Sequence, residues 1–337
     1  MIQKRRNASE NKVNSKLSRR LRRSSVIAVV LTFVLLFSAC SFTFEDDVVA
    51  PLKSALSSNI SGLLQNTDTV GMEYPEDEED IYVISDSEDL FVALQTSLYE
   101  FRSEIFLSVE EYTQFSEYWD ELLDDGALHS AFQQGQVQIE YDNQSPCIIH
   151  LYFSYNSTGV VLQEYLLDGE PDLNSDEEKQ LYAAMTSIAE EIIEEDMTER
   201  DKVIAVHDYL VVNTVYVEDQ AEADYLATAY SVLIDGEGQC QGYSEAFTAL
   251  LMISGIETKV ISGDALDSSA TYQPHAWNLV KIDGDWYHAD ATWDDPIPDT
   301  GGSAIHTYLF RSDDFFERDH SWSDLFDDCP VDNPIEE

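Results

Sequence analysis

GEGQCQGYSEAFTALLMISGI, Gly236 to Ile256, is the stretch from which the fold can be read. Gly236 and Gly238 allow a tight loop just before Cys240, and Phe247, Leu250, Leu251 and Ile253 then recur at helical spacing until Gly255 ends the pattern. The spacing predicts a helix with Cys240 at or near its N-terminus. Unpaired backbone N–H groups and the positive end of the helix dipole favour a thiolate there, the nucleophilic form of cysteine. A buried core cysteine would fit the same pattern, and a helix end supplies activation without a base.

A base is supplied further on, in HAWNLVKIDGDWYHADATWDDP, His275 to Pro296. Asp283-Gly284 is a two-residue hairpin signal flanked by alternating apolar residues. If Ile282 faces Asp285 across that turn, Trp277 lies opposite Asp290. His275, on the same face as Trp277, is then one diagonal step from Asp290, within reach of an imidazole–carboxylate hydrogen bond. Cys240, His275 and Asp290 together give nucleophile, base and orienting carboxylate. His288 falls on the same face and is a rival base, ranked second because it sits opposite Leu279 and nearer the turn. His207, in a helical HDYL, reads as structural.

The chain opens with nine of its eighteen Lys and Arg within residues 1–23, followed by the apolar run VIAVVLTFVLLF, Val26 to Phe37, too short to span a bilayer as a stable helix. This is an export signal. Ser38 and Ala39 before Cys40 resemble a bacterial lipoprotein signal, in which cleavage leaves Cys40 lipidated at a new N-terminus; an ordinary signal peptide and an uncleaved anchor are the other readings. All three put the remaining chain outside the cytoplasmic membrane, and the first puts it on that membrane's extracellular face, held by lipid.

Those first 39 residues hold nine of the eighteen basic residues but one of the sixty-six acidic ones, leaving nine against sixty-five and a formal net charge of −56. Such a surface repels nucleic acid and anionic head groups, and excludes them as partners. It suits a cationic substrate or calcium, but the acids are spread along the chain, which favours solubility as their role. Residues 40–80 end in EYPEDEED and read as an acidic tether.

From Ile81 the pattern gives a short strand, a helix capped by Ser87, a second amphipathic helix through Tyr112, Phe115, Trp119 and Leu122, and then three strands, VQIEY, CIIHLYFSY and VVLQEYLL. Residues 81–170 are thus expected to form a small α+β accessory domain, with 171–337 as the main domain. Cys147 and His150 read as packing residues. Ser175 and Glu178 form a capping box before a helix, and another helix starts at Thr198.

GEGQCQGY, HAWN and WYHADATWDDP, with YLFRSDDFF and DHSW after them, resemble the transglutaminase-like superfamily, in particular its secreted bacterial members. The likeness runs from about Thr198 to Trp322, with the motifs in the order Cys, His, Asp. It implies an α+β, papain-like core, a Cys-bearing helix packed on an antiparallel sheet. It also implies a Cys240–His275–Asp290 triad acting on amide bonds of protein, peptide or cell-wall peptide substrates as protease, amidase or transamidase. A non-catalytic peptide- or wall-binding module keeping the fold is the alternative. Papain proteases carry an oxyanion glutamine six residues before the cysteine, where this chain has Ile234. The second oxyanion donor is therefore unassigned, with Tyr216 and His207 as candidates.

Trp277, Trp286 and Trp293 read as core before site wall, and Asp294 and Asp295 as turn residues before calcium ligands, so no cofactor or metal is expected. Asp319, His320 and Trp322 belong to a segment without an evident role. Cys147 and Cys329 would be free to pair outside the cell.

Overall fold

The structure, a computed structural model, describes residues 31–33, 81–127, 135–142, 144–168, 171–218, 221–266, 270–295 and 304–335. Cys40, the cleavage site before it and the tether up to residue 80 lie outside the described residues. Among the described residues, no helix is long and apolar enough to cross a membrane.

The N-terminal half comprises β1 (Leu31–Phe33), β2 (Ile81–Val83), α1 (Ser87–Tyr99), β3 (Glu104–Val109), α2 (Tyr112–Asp124), β4 (Gly135–Tyr141) and β5 (Cys147–Tyr155). The strands form one sheet in the order β1-β4-β5-β3-β2, antiparallel except for β2–β3. Asp86, rather than Ser87, caps α1: its Oδ1 accepts the Asp89 N–H at 2.9 Å. Strand β3 goes unread in the sequence because its buried centre, Ile105 to Leu107, does not alternate. Strand β1 falls inside the apolar run of the expected signal, so a chain cleaved before Cys40 would present β4 as that edge.

The expected strand VVLQEYLL is instead helix α3 (Ser157–Asp168). Asn156 starts it, its Oδ1 accepting the Gly159 N–H at 2.9 Å. Val161 and Leu162 then bury against residues of later helices, so tertiary packing overrides the β preference of paired valines. Next come α4 (Asp176–Ile192), with the Ser175–Glu178 capping box, and α5 (Glu199–Asn213), capped by Thr198.

The chain continues through β6 (Val215–Tyr216), α6 (Ala223–Leu226), a π-helical turn (Ser231–Asp235), β7 (Glu237–Gly238) and α7 (Cys240–Ile253). It ends with β8 (Thr258–Leu266), β9 (Tyr272–Ile282), β10 (Asp285–Ala289), β11 (Leu309–Arg311), α8 (Asp313–Phe316) and β12 (His320–Ser321). The second sheet is antiparallel, ordered β11-β10-β9-β8-β12.

Every residue of α7 from Cys240 to Met252 is buried, a helix wrapped on all sides rather than amphipathic. Val280 and Ile282 of β9 share its core, and the Asn278 side chain donates to the Ser244 carbonyl at 3.1 Å and to Thr248 Oγ1 at 2.9 Å. The alternate residues Trp277 and Leu279 join Ile261 and Trp286 in a second core with Leu90, Phe91 and Leu94 of α1. There Phe91 meets Phe326 edge to face at 5.3 Å, and Lys259 donates to Gln95 at 2.8 Å. The main sheet is thus covered by α7 on one side and by α1 on the other.

Candidate active site

Cys240 is the first residue of α7, after an extended N-cap at Gln239. Gly236, at φ +71°, turns the chain out of the π-helical turn. Strands β6 and β7 then pair in parallel, setting Tyr216 opposite Gly238. Gly242 carries a constraint of its own: a Cβ there would lie 2.5 Å from the Leu226 carbonyl oxygen. The first turn of α7 is therefore pressed against α6, which holds the cysteine in place.

Hairpin pairing follows the expected register, from Ile282–Asp285 to Asn278–Ala289. His275 Nε2 lies 2.7 Å from Asp290 Oδ2. The Cys240 side chain hydrogen-bonds His275, and with Nε2 taken by Asp290 the nitrogen left for the sulfur is Nδ1. Asp290 Oδ1 accepts the N–H groups of Thr292 and Trp293, each at 3.0 Å, so the turn after β10 fixes the carboxylate.

All three side chains are withdrawn from solvent; Cys240 is 1% exposed. Burial disfavours a charged His275, but the Asp290 carboxylate and the Cys240 sulfur outweigh it and raise its pKa to about 10. Burial likewise disfavours a charged Asp290, and His275 and His320 together hold it well below the usual carboxylate range. The result is a buried array set up to keep charge separated between sulfur, imidazole and carboxylate.

His288 does not reach this array. Its Nδ1 accepts the Trp277 Nε1–H at 2.9 Å, its Nε2 faces Asp313 at 2.9 Å, and burial lowers its pKa against the pull of Asp313. His207 is buried between Asp208 and Asp294, 3.2 Å from each, which leaves neither ring nitrogen for an oxyanion. Tyr216 stays beside the cysteine loop, its ring 6.4 Å from that of Tyr243.

Two of the three tryptophans flank the site. Trp277 stacks on His275 at 6.0 Å and Trp293 lies 5.8 Å from it, whereas Trp286 packs under Lys259 and Lys281. Asp294 accepts the Tyr308 N–H and Asp295 the Tyr243 hydroxyl at 2.6 Å, so both carboxylates hold protein donors.

Three groups of described residues bring metal-ligating atoms within 4.8 Å of one another: His207, Asp208 and His306; His275, Asp290 and His320; His288, Asp313 and Cys329. In each, the carboxylate is already hydrogen-bonded to a histidine of the group. None of Cys147, Cys240 and Cys329 is in a disulfide, so Cys147 and Cys329 do not pair. Burial, with Asp142 beside it, pushes Cys147 up to about 12, and Cys329 is raised by burial and its acidic neighbours. His150 faces Glu104 at 2.8 Å and stacks on Phe106, a packing role.

Two further residues had no role legible in the sequence. Glu245, one turn beyond Cys240, is a fully buried carboxyl whose oxygens accept from Asn156, Thr158, Gln241 and the Ala229 N–H, tying α7 to the start of α3. Burial raises its pKa to about 7 against those donors. The second is His320, whose Nε2 lies 3.3 Å from Asp290 Oδ2. Its DHSW motif was visible as a signal, but not its target.

Fold and site together define an α+β protein with a cysteine at the start of a buried helix, packed on an antiparallel sheet that carries a His–Asp pair. Residues 186–291 match the model of the transglutaminase-like superfamily, and this part of the chain belongs to it. The match takes in Cys240, His275 and Asp290 and stops before His320. Over 140 residues, 38% of the chain, the protein is 24% identical to the kyphoscoliosis peptidase of Mus musculus, and the match spans 21% of that protein. Among solved structures it is similar to a TGase (18% identity, 64% of this chain and 59% of the other, TM-score 0.28). It is also similar to the periplasmic domain of TgpA from Pseudomonas aeruginosa (16% identity, 45% and 57%, TM-score 0.26).

Proposed function

We propose that this protein is a cysteine acyltransferase or hydrolase acting on amide bonds of protein, peptide or cell-wall peptide substrates. The observation that carries the reading is His275, held between the Cys240 sulfur and the Asp290 carboxylate. In the resting pair, Cys240 is the thiolate and His275 the imidazolium. The sulfur attacks the amide carbonyl carbon, and the negative charge moves to the carbonyl oxygen. The Cys240 backbone N–H, at the first turn of α7, is the candidate for one donor to that oxygen, and Tyr216 is the candidate for the second.

Collapse of the adduct breaks the C–N bond, with the His275 Nδ1 proton going to the departing amine. A thioester on Cys240 remains. Water or an amine then attacks it, giving up a proton to His275, and the sulfur leaves as thiolate, which restores the resting ion pair. Asp290 keeps the Nε2–H side of the ring fixed and stabilises the imidazolium.

Treating the protein with a surface-protein or wall extract, with and without a primary amine, and reading the products by mass spectrometry tests this. New termini, amine incorporation or conversion of glutamine to glutamate would support the reading and select the acceptor. Binding without any covalent product, unchanged in Cys240→Ala, would favour the binding module instead. The same proposal puts the enzyme at the extracellular face of the bacterial membrane through a lipid on Cys40. Wild-type protein is then expected to partition with membranes and Cys40→Ala to be misprocessed, whereas a soluble wild type cut elsewhere would rule the anchor out.

A further inference from the structure

His320 reaches the site from β12, thirty residues beyond Asp290, and presents both ring nitrogens to carboxylates. Nε2 lies 3.3 Å from Asp290 Oδ2, the oxygen that also meets His275, and Nδ1 lies 2.7 Å from Asp319 Oδ1. A neutral imidazole carries one N–H, whereas an ionised carboxylate only accepts. Two carboxylates on one ring are both satisfied by the doubly protonated form. The ring is buried between aromatic faces, with Trp277 at 5.0 Å, Trp293 at 4.4 Å and Phe316 at 4.5 Å. Asp319 is held in turn by the Tyr308 hydroxyl at 2.8 Å.

We propose that His320, gripped as an imidazolium between Asp290 and Asp319, is a positioning residue that fixes the Asp290 carboxylate and moderates its pull on His275. It thereby sets the pH range in which the Cys240–His275 pair is charged. This rests on the catalytic reading above only for its consequence, since the ring's own state is measurable without turnover. The arrangement also gives the DHSW segment a role. Asp290 faces two histidines, and a single buried carboxylate shared by two cations holds each less strongly than it would hold one.

The other ionisable groups around His320 are few. On β9, His275 lies 5.6 Å away ring to ring; on β10, His288 feels its charge; on its own turn Asp319 binds it, with Tyr308 behind. On β8 the residue paired with it is Ala265, with Asp264 opposite Ser321. Removing a cation here leaves Asp290 facing His275 alone. Both the loss of the Cys240 proton and the loss of the His275 proton should then shift to higher pH.

The test uses the whole protein and three readouts. Nitrogen-15 NMR of histidine-labelled protein at neutral pH should show, besides His275, a buried ring with both nitrogens protonated that disappears in His320→Gln. In the same variant the pH profile of Cys240 alkylation should move up by roughly one unit, a tenfold slower reaction on the acid side. Asp319→Asn, which keeps the ring but removes the carboxylate on Nδ1, should let His320 fall to the neutral form and so move the profile the same way by less. Thermal melts identify variants that fail to fold, for which Asp319→Asn stands in. A neutral, single-tautomer His320, or profiles that stay in place while rates fall with stability, would overturn the proposal. A shifted profile in a protein that never turns over amides would instead leave it standing and reject the catalytic reading.

Discussion

Asp290→Asn tests the site most directly, because one atom changes. The asparagine Oδ1 can still accept the Thr292 and Trp293 N–H groups, so the turn survives. The oxygen that met His275 Nε2 at 2.7 Å becomes an NH2 group, which donates. His275 must then accept at Nε2 and carry its hydrogen on Nδ1, pointing at the sulfur, and the base is lost. The imidazolium also loses its main support. His275 is raised from 6.5 to about 10 despite its burial, a difference on the order of 5 kcal/mol between its two forms, shared between Asp290 and Cys240.

A group held above its ordinary pKa stays charged until the pH passes the raised value. Wild-type activity should therefore keep its general acid through the neutral and mildly alkaline range and decline near pH 10. In Asp290→Asn the alkaline decline should fall by two units or more, and kcat by about 10³–10⁴. The assay is kcat against pH in whichever amide-cleaving or amine-incorporating reaction the wild type supports, with melts alongside. Near wild-type kcat and an unmoved alkaline limb in a folded Asp290→Asn would refute the triad.

Iodoacetamide should label Cys240 well ahead of Cys147, whose thiol burial pushes up to about 12, and of Cys329; His275→Ala should remove that advantage, and equal labelling of all three would contradict it. His288→Ala strips partners from the buried Trp277 N–H and from Asp313, so it should cost about 2–4 kcal/mol of stability by denaturant unfolding while the folded fraction retains most of its kcat. Glu245 is raised from 4.5 to about 7, so the folded state binds its proton more tightly than the unfolded chain does. Stability should fall by about 3 kcal/mol as pH rises from 4.5 to 7, and Glu245→Gln should flatten that slope in urea melts at stepped pH; parallel slopes in the two proteins would count against it.

The pairing of His275 with Asp290 is local. Asp283 and Gly284, both at positive φ, close a two-residue turn, and strand alternation carries the register outward from it to both residues. The caps at Ser175 and Thr198 and the start of α7 at Cys240 are likewise written in a few neighbouring residues. What is local in the chain can be read from the chain.

Elsewhere the decisive contacts join distant segments. Paired valines become helix α3 because α7 and its neighbours offer them a core, and Glu245 is a carboxyl of raised pKa only because the packed fold buries it, against the donors Asn156, Thr158 and Ala229 that distant segments bring to it. His320 meets Asp290 because β12 pairs with β8, a pairing of two residues too short to leave a pattern. The charges of the site belong to this second kind: they depend on burial and on which groups face each other, and neither exists before the sheet and helix α7 come together.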